Sequence, residues 1–124
     1  MKATGNLIVD LTFQYSLDII AFTDKLEQMK KFAVANQLTK SGTSIGANVK
    51  EAQSCESSED FVHKLKISEK ELEETEYWLD ICKYSDCLPD PGKLRTDLEP
   101  IRKVLGKIIA TTKRNINSRN GHQA

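Results

Sequence analysis

The chain has 124 residues and a mass of 14.0 kDa, room for one domain rather than two. Hydrophobic residues make up 39% and charged residues 29%, which excludes a disordered tail, while six glycines and three prolines are too few for a many-stranded β fold. Eighteen bases cancel eighteen acids, so net charge does not declare a polyanion binder, and no apolar run approaches the roughly 18 residues of a membrane span.

The N-terminal stretch from Met1 to Asn6 is polar and lacks a signal-peptide core, so a cytoplasmic protein is expected. From Asn6 to Met29 the apolar residues Ile8, Leu11, Tyr15, Ile19, Phe22, Leu26 and Met29 recur in steps of three and four, the one-face pattern of a helix. A second stripe carries Ala35, Leu38, Gly42, Ile45, Val49 and Ala52. No glycine or proline separates the two. From Met29 to Leu38, at about 100° per residue, the stripe passes to the opposite face, so one straight helix could not bury both. A turn is therefore predicted near Lys30 to Phe32.

Ser54, Ser57 and Ser58 mark the next break. Ser58 opens a segment with Glu59 and Asp60 in its first turn, where a serine cap and acids satisfy free amides and suit the helix dipole. The third stripe is Phe61, Leu65, Ser68, Leu72, Thr75, Leu79 and Cys82, on a rod from Ser58 to about Ser85. Leu88-Pro89-Asp90-Pro91-Gly92 ends it. The fourth stripe is Leu94, Leu98, Ile101, Leu105, Ile108, Thr112 and Ile116, with Pro100 either kinking the helix or marking its true start. Residues 117–124 carry no stripe and are expected to be a flexible C-terminal tail beyond a single domain of residues 1–116. Four such segments with short connections predict an all-α, antiparallel up-down-up-down four-helix bundle.

Charge is segregated along the chain. Residues 58–90 hold ten acids and four bases, whereas residues 91–124 hold eight bases and two acids. Opposite charges on neighbouring helices would aid pairing. The functional alternative is a basic stripe of Arg102, Lys103, Lys107, Lys113 and Arg114 facing a phosphate backbone. No aromatic interleaves these bases, which disfavours single-strand stacking and leaves duplex RNA regions as the target.

No active site emerges. A di-iron bundle needs paired Glu-x-x-His motifs, and Asp60-x-x-His63 is one partial match. Cys55, Cys82 and Cys87 form no close pair and, with His63 and His122, no finger-like spacing, so three reduced thiols and no metal are expected. Glu69, Glu73, Glu76 and Asp80 read as a solvated acidic face. Ser41 to Ser44 has neither the Ser-x-x-Lys order of an activated serine nor the Gly-Lys-Ser/Thr ending of a phosphate loop. No cofactor and no small-molecule substrate are expected.

Ser41-Gly42-Thr43-Ser44-Ile45-Gly46-Ala47-Asn48-Val49-Lys50-Glu51-Ala52 strings small residues through mid-helix, although each glycine costs up to ~1 kcal/mol relative to alanine. Gly42, Gly46, Ala47 and Asn48 thus offer a close-packing face suited to a subunit interface. This run, with Phe61-x-x-Lys64-Leu65-x-Ile67-Ser68-x-Lys70-Glu71 and Glu74-Thr75-Glu76-Tyr77-Trp78-Leu79, resembles the bacterial four-helix-bundle family named for proteins encoded in intervening sequences of 23S ribosomal RNA genes. The resemblance spans about residues 7 to 116. It implies a bundle assembling as a ring of five subunits, related to the accessory protein of diversity-generating retroelements, which binds a reverse transcriptase and nucleic acid. It implies no catalytic residues. The expected function is a non-enzymatic oligomeric scaffold contacting structured RNA, a ribonucleoprotein or a nucleic-acid-processing protein. The alternative is a protein–protein adaptor with no nucleic-acid role.

Overall fold

The computed structural model describes residues 3–121. It contains four long helices, α1 (Leu7–Gln28), α2 (Phe32–Ala52), α3 (Ser58–Tyr84) and α4 (Leu98–Gly121), with one 3-10 turn at Gly92–Leu94 and no strand among the described residues. Neighbours in sequence pack side by side, α1 on α2, α2 on α3 and α3 on α4, and α4 touches α1. This is the all-α four-helix bundle that the stripes predict.

Local chemistry sets each end. Asn6 caps α1 by accepting from the Val9 amide. The first connection falls at the predicted phase slip and is closed by a Schellman motif. The Lys30 amide donates to the Glu27 carbonyl (2.9 Å) and the Lys31 amide to the Leu26 carbonyl (2.8 Å). Lys30 takes the left-handed conformation, φ 63°, that such a turn demands and that glycine would usually supply. Ser57 caps α3 through the Asp60 amide, and the helix opens at Ser58 as the sequence predicts. Pro100 lies in the first turn of α4, where its missing N–H leaves no bond unmade, so of the two readings it marks a start.

The core is built from Ile8, Tyr15, Ile19 and Leu26 of α1, all six predicted stripe residues of α2, the third stripe from Leu65 to Cys82, and Leu98, Ile101, Leu105 and Ile109 of α4. Three stripe positions shift by one. Thr12 takes the buried place given to Leu11, its hydroxyl donating to the Ile8 carbonyl at 2.7 Å. Val62 replaces Phe61 and Ile109 replaces Ile108, because steps of three and four are interchangeable at 3.6 residues per turn. Met29 is exposed, since α1 has already ended.

Two buried hydroxyls tie helices together. Ser68 donates to the Ile45 carbonyl at 2.8 Å, joining α3 to α2, and the Tyr15 phenol donates to the Leu94 carbonyl at 2.8 Å, joining α1 to the connection before α4. Burial first, then Asp97, Asp18 and Glu76, hold the Tyr15 phenol far above its ordinary 10.0. Helix α4 continues five residues into the stretch read as a flexible tail, to Gly121. Nothing there breaks a helix, and Arg119 reaches Glu59 of α3 at 3.2 Å. Residues 122–124 lie outside the described residues.

Candidate nucleic-acid interface

The α3–α4 seam decides which of the predicted basic residues are available. Helix α3 repeats one position every seven residues, Glu59, Glu73 and Asp80 among them, and α4 runs antiparallel beside it. Asp80 pairs with Arg95, Glu73 and Glu76 with Arg102, and Glu59 with Arg119. Arg102 also meets Glu99 of its own helix at 3.4 Å. Burial works against its charge, but the three carboxylates outweigh it, so Arg102 holds its proton more firmly than an ordinary arginine. Arg102 is thus committed to helix pairing, as the pairing explanation of the charge segregation expects.

The other four behave differently. Lys103, Lys107, Lys113 and Arg114 are exposed, and none has a carboxylate within ion-pairing distance among the described residues. Arg114 touches only the Thr111 hydroxyl of its own helix, at 3.3 Å. Lys103, Lys107 and Arg114 stand nearly in line along about 17 Å of helix. Ile109 is the last buried residue of α4, and beyond it the described helix is exposed apart from the half-buried Thr112 and Ile116. The basic line therefore leaves the bundle on a helix that solvent can reach.

The small-residue run of α2 divides in two. Gly42 is buried against α1, and a Cβ there would lie 2.7 Å from Cγ1 of Ile19. A Cβ on Gly46 would lie 3.1 Å from the Thr12 carbonyl oxygen. The close approach that both glycines permit is made inside the chain. On the outer side, Gly46 and Ala47 border a groove of about 330 Å³ between α1 and α2 with Val9, Phe13, Ser16 and Thr43. Asn48 is half-buried and donates to the Ser44 carbonyl at 2.8 Å.

Beside this groove Phe13, Leu17 and Ile20 are 43%, 47% and 47% exposed. The sequence reading followed only the buried stripe and missed this second apolar line. Its spacing of four and three was visible, and a helix apolar on two faces calls for a second partner. Trp78 is half-buried against the core edge, edge-on to Tyr77 with ring centroids 5.5 Å apart. Cys55, Cys82 and Cys87 are free thiols, and among the described residues no three His, Cys, Asp or Glu side chains gather as a metal site. No described helix is long and apolar enough to cross a membrane.

A family model described as 23S rRNA-intervening sequence protein matches residues 6–107. The chain belongs to that family. A crystal structure of a protein of unknown function from the S23 ribosomal protein family of Bacteroides thetaiotaomicron is similar at 34% identity, with a TM-score of 0.78 over 82% of this chain and 97% of that one. Comparison with curated proteins finds no match. The matched segment ends at Lys107, so it includes Arg102, Lys103 and Lys107 and stops short of Lys113 and Arg114.

Proposed function

We propose that this protein is a non-enzymatic, cytoplasmic, self-associating helical bundle that binds the backbone of structured RNA through α4. The observation that carries this reading is the split among the α4 bases. Arg102 and Arg119 are paired with α3 carboxylates, while Lys103, Lys107, Lys113 and Arg114 stand exposed with no ion pair to an acid among the described residues. A basic set kept clear of acids is what a phosphate backbone requires, and it can coexist with zero net charge because the acids are occupied on the seam or displayed elsewhere. Self-association, to the five-membered ring that the family resemblance implies, is supported by Phe13, Leu17 and Ile20 beside the groove at Gly46 and Ala47. A ring would repeat the basic line and raise avidity. The seam ion pairs favour the adaptor reading, in which the charged faces serve assembly alone.

A gel-shift titration with a structured ribosomal RNA fragment at two salt concentrations tests the proposal. Four phosphate contacts predict a logarithmic salt slope of about −3 to −4 per chain. Reversing Lys103, Lys107 and Arg114 to Glu should weaken binding across RNA sequences while leaving the circular dichroism spectrum unchanged. Absence of any shift at low salt would end the RNA reading and leave the adaptor.

A further inference from the structure

Three glycines lie in helix interiors, Gly42 and Gly46 in α2 and Gly106 in α4. Glycine is disfavoured there relative to alanine, because it orders more backbone and packs no side chain. Its use in such a place is to let something approach the backbone more closely than a side chain would allow. For the two in α2 that neighbour is α1. A Cβ on Gly42 would lie 2.7 Å from Cγ1 of Ile19, and one on Gly46 would lie 3.1 Å from the Thr12 carbonyl oxygen.

Nothing comparable meets Gly106. It stands well clear of both ends of α4, and among the described residues no atom lies within 4 Å of the Cβ it would carry. Its backbone does not need glycine either, since the positive φ angles of the described glycines belong to Gly5 and Gly92. Neither the packing nor the conformation of the folded chain requires a glycine at 106. Its neighbours on the helix surface are Arg102 and Lys103 one turn before, Lys107 beside it and Ala110 one turn after. Arg102 is held by Glu73, Glu76 and Glu99, whereas Lys103 and Lys107 are exposed and make no ion pair among the described residues. Ala110 is exposed and adds only a methyl group. The helix surface is therefore low at Gly106 and Ala110, and long cationic side chains rise beside it.

A protein lying on this surface would need acids placed to match both lysines, whereas a nucleic-acid strand carries a phosphate on every residue. We infer that the sugar–phosphate backbone of structured RNA packs directly against α4 at Gly106, with Lys103 and Lys107 on its phosphates. This contact rests on the RNA reading proposed above and fixes its point of closest approach. Close approach matters for RNA in particular, because a duplex is recognised by its shape and by its sugar hydroxyls and phosphates. Gly106 is a positioning residue in this contact. It supplies no group to the RNA, and it sets how near the backbone lies to the helix.

Gly106→Gln tests this, because it keeps the charge and improves helix propensity, so that stability and binding should move in opposite directions. Thermal melts of the full chain should place Gly106→Gln and Gly106→Ala each about 2–5 °C above the parent. In gel shifts with a structured ribosomal RNA fragment, Gly106→Gln should bind about ten-fold more weakly, and Gly106→Ala more weakly by a smaller factor. Both should keep the salt slope of the parent, since the lysines are untouched, whereas Lys103→Gln should lower that slope by about 1. Equal RNA affinity in the parent and both glycine variants overturns the contact. If reversal of Lys103, Lys107 and Arg114 still abolishes binding in that case, the RNA reading stands without it. Variants that melt below the parent also overturn it, because Gly106 would then serve packing within the fold. Unchanged RNA affinity with a lower oligomer mass by light scattering gives the close approach to a second copy of the chain and overturns the RNA contact. A parent that shifts no RNA at low salt removes the RNA reading and this contact together.

Discussion

The two outer seams of this bundle are held by different physics. Between α1 and α2 the contact is steric. Gly42 and Gly46 remove side chains so that Ile19 and the Thr12 backbone can fill the space. Between α3 and the chain that follows it, it is electrostatic along its edge, with arginines meeting acids at three rungs. A steric seam tolerates no added atom and ignores salt. A charged seam accepts substitution and responds to ions.

The largest separation of the two seams should come from Gly42→Leu. Ile19 is fully buried and β-branched, so it cannot swing away from the new side chain, and the loss should be about 3 kcal/mol, near the top of the usual overpacking range. Urea denaturation checks this, and a midpoint equal to the parent's would mean that α1 and α2 part without cost. The matching change on the other seam, Gly106→Ala, meets open space and should stabilise by up to ~1 kcal/mol through helix propensity.

Alkaline pH should act next, through groups buried in the core that both seams enclose. Burial pushes the Cys82 thiol from its ordinary 9.0 up to about 11, and burial with nearby carboxylates raises Tyr15 above 10.0. Both groups keep their protons in the folded state at pH values where the unfolded chain would release them. Their contribution is therefore intact below pH 9 and is lost as pH rises toward the folded values, on the order of 2 kcal/mol for the thiol. Melts at pH 8 and pH 10.5 should show the decline, and Cys82→Ser should flatten part of it.

Arg102→Met should cost the charged seam about 1 kcal/mol, a modest figure because the side chain is 33% exposed and its partners are screened. The loss should shrink in 1 M salt, where the Gly42→Leu loss does not. A salt-independent Arg102→Met effect would show that its aliphatic stem, rather than its charge, holds α4.

Much of this was legible from the residues. All six α2 stripe positions are buried, and the slip from Met29 to Leu38 placed the first turn correctly, because burying two faces of one rod in one core is geometrically impossible. Phe13, Leu17 and Ile20 are equally visible in the sequence as a second apolar line spaced by four and three, outside the buried stripe. The register of α3 against α4 was not readable at all. Spacing within one helix says which residues share a face, and it does not say which rung of the neighbour stands opposite.

Sequence by itself determined the all-α class, the four helices, their buried faces and the separation of acidic from basic segments, because periodicity and capping act over a few residues. Only the tertiary structure decided that Arg102 is occupied while Lys103, Lys107 and Arg114 have no ion-pair partner among the described residues, and that Gly42 serves α1. Those facts depend on the axial offset between packed helices, which is fixed by the whole core closing at once and by no local stretch of chain.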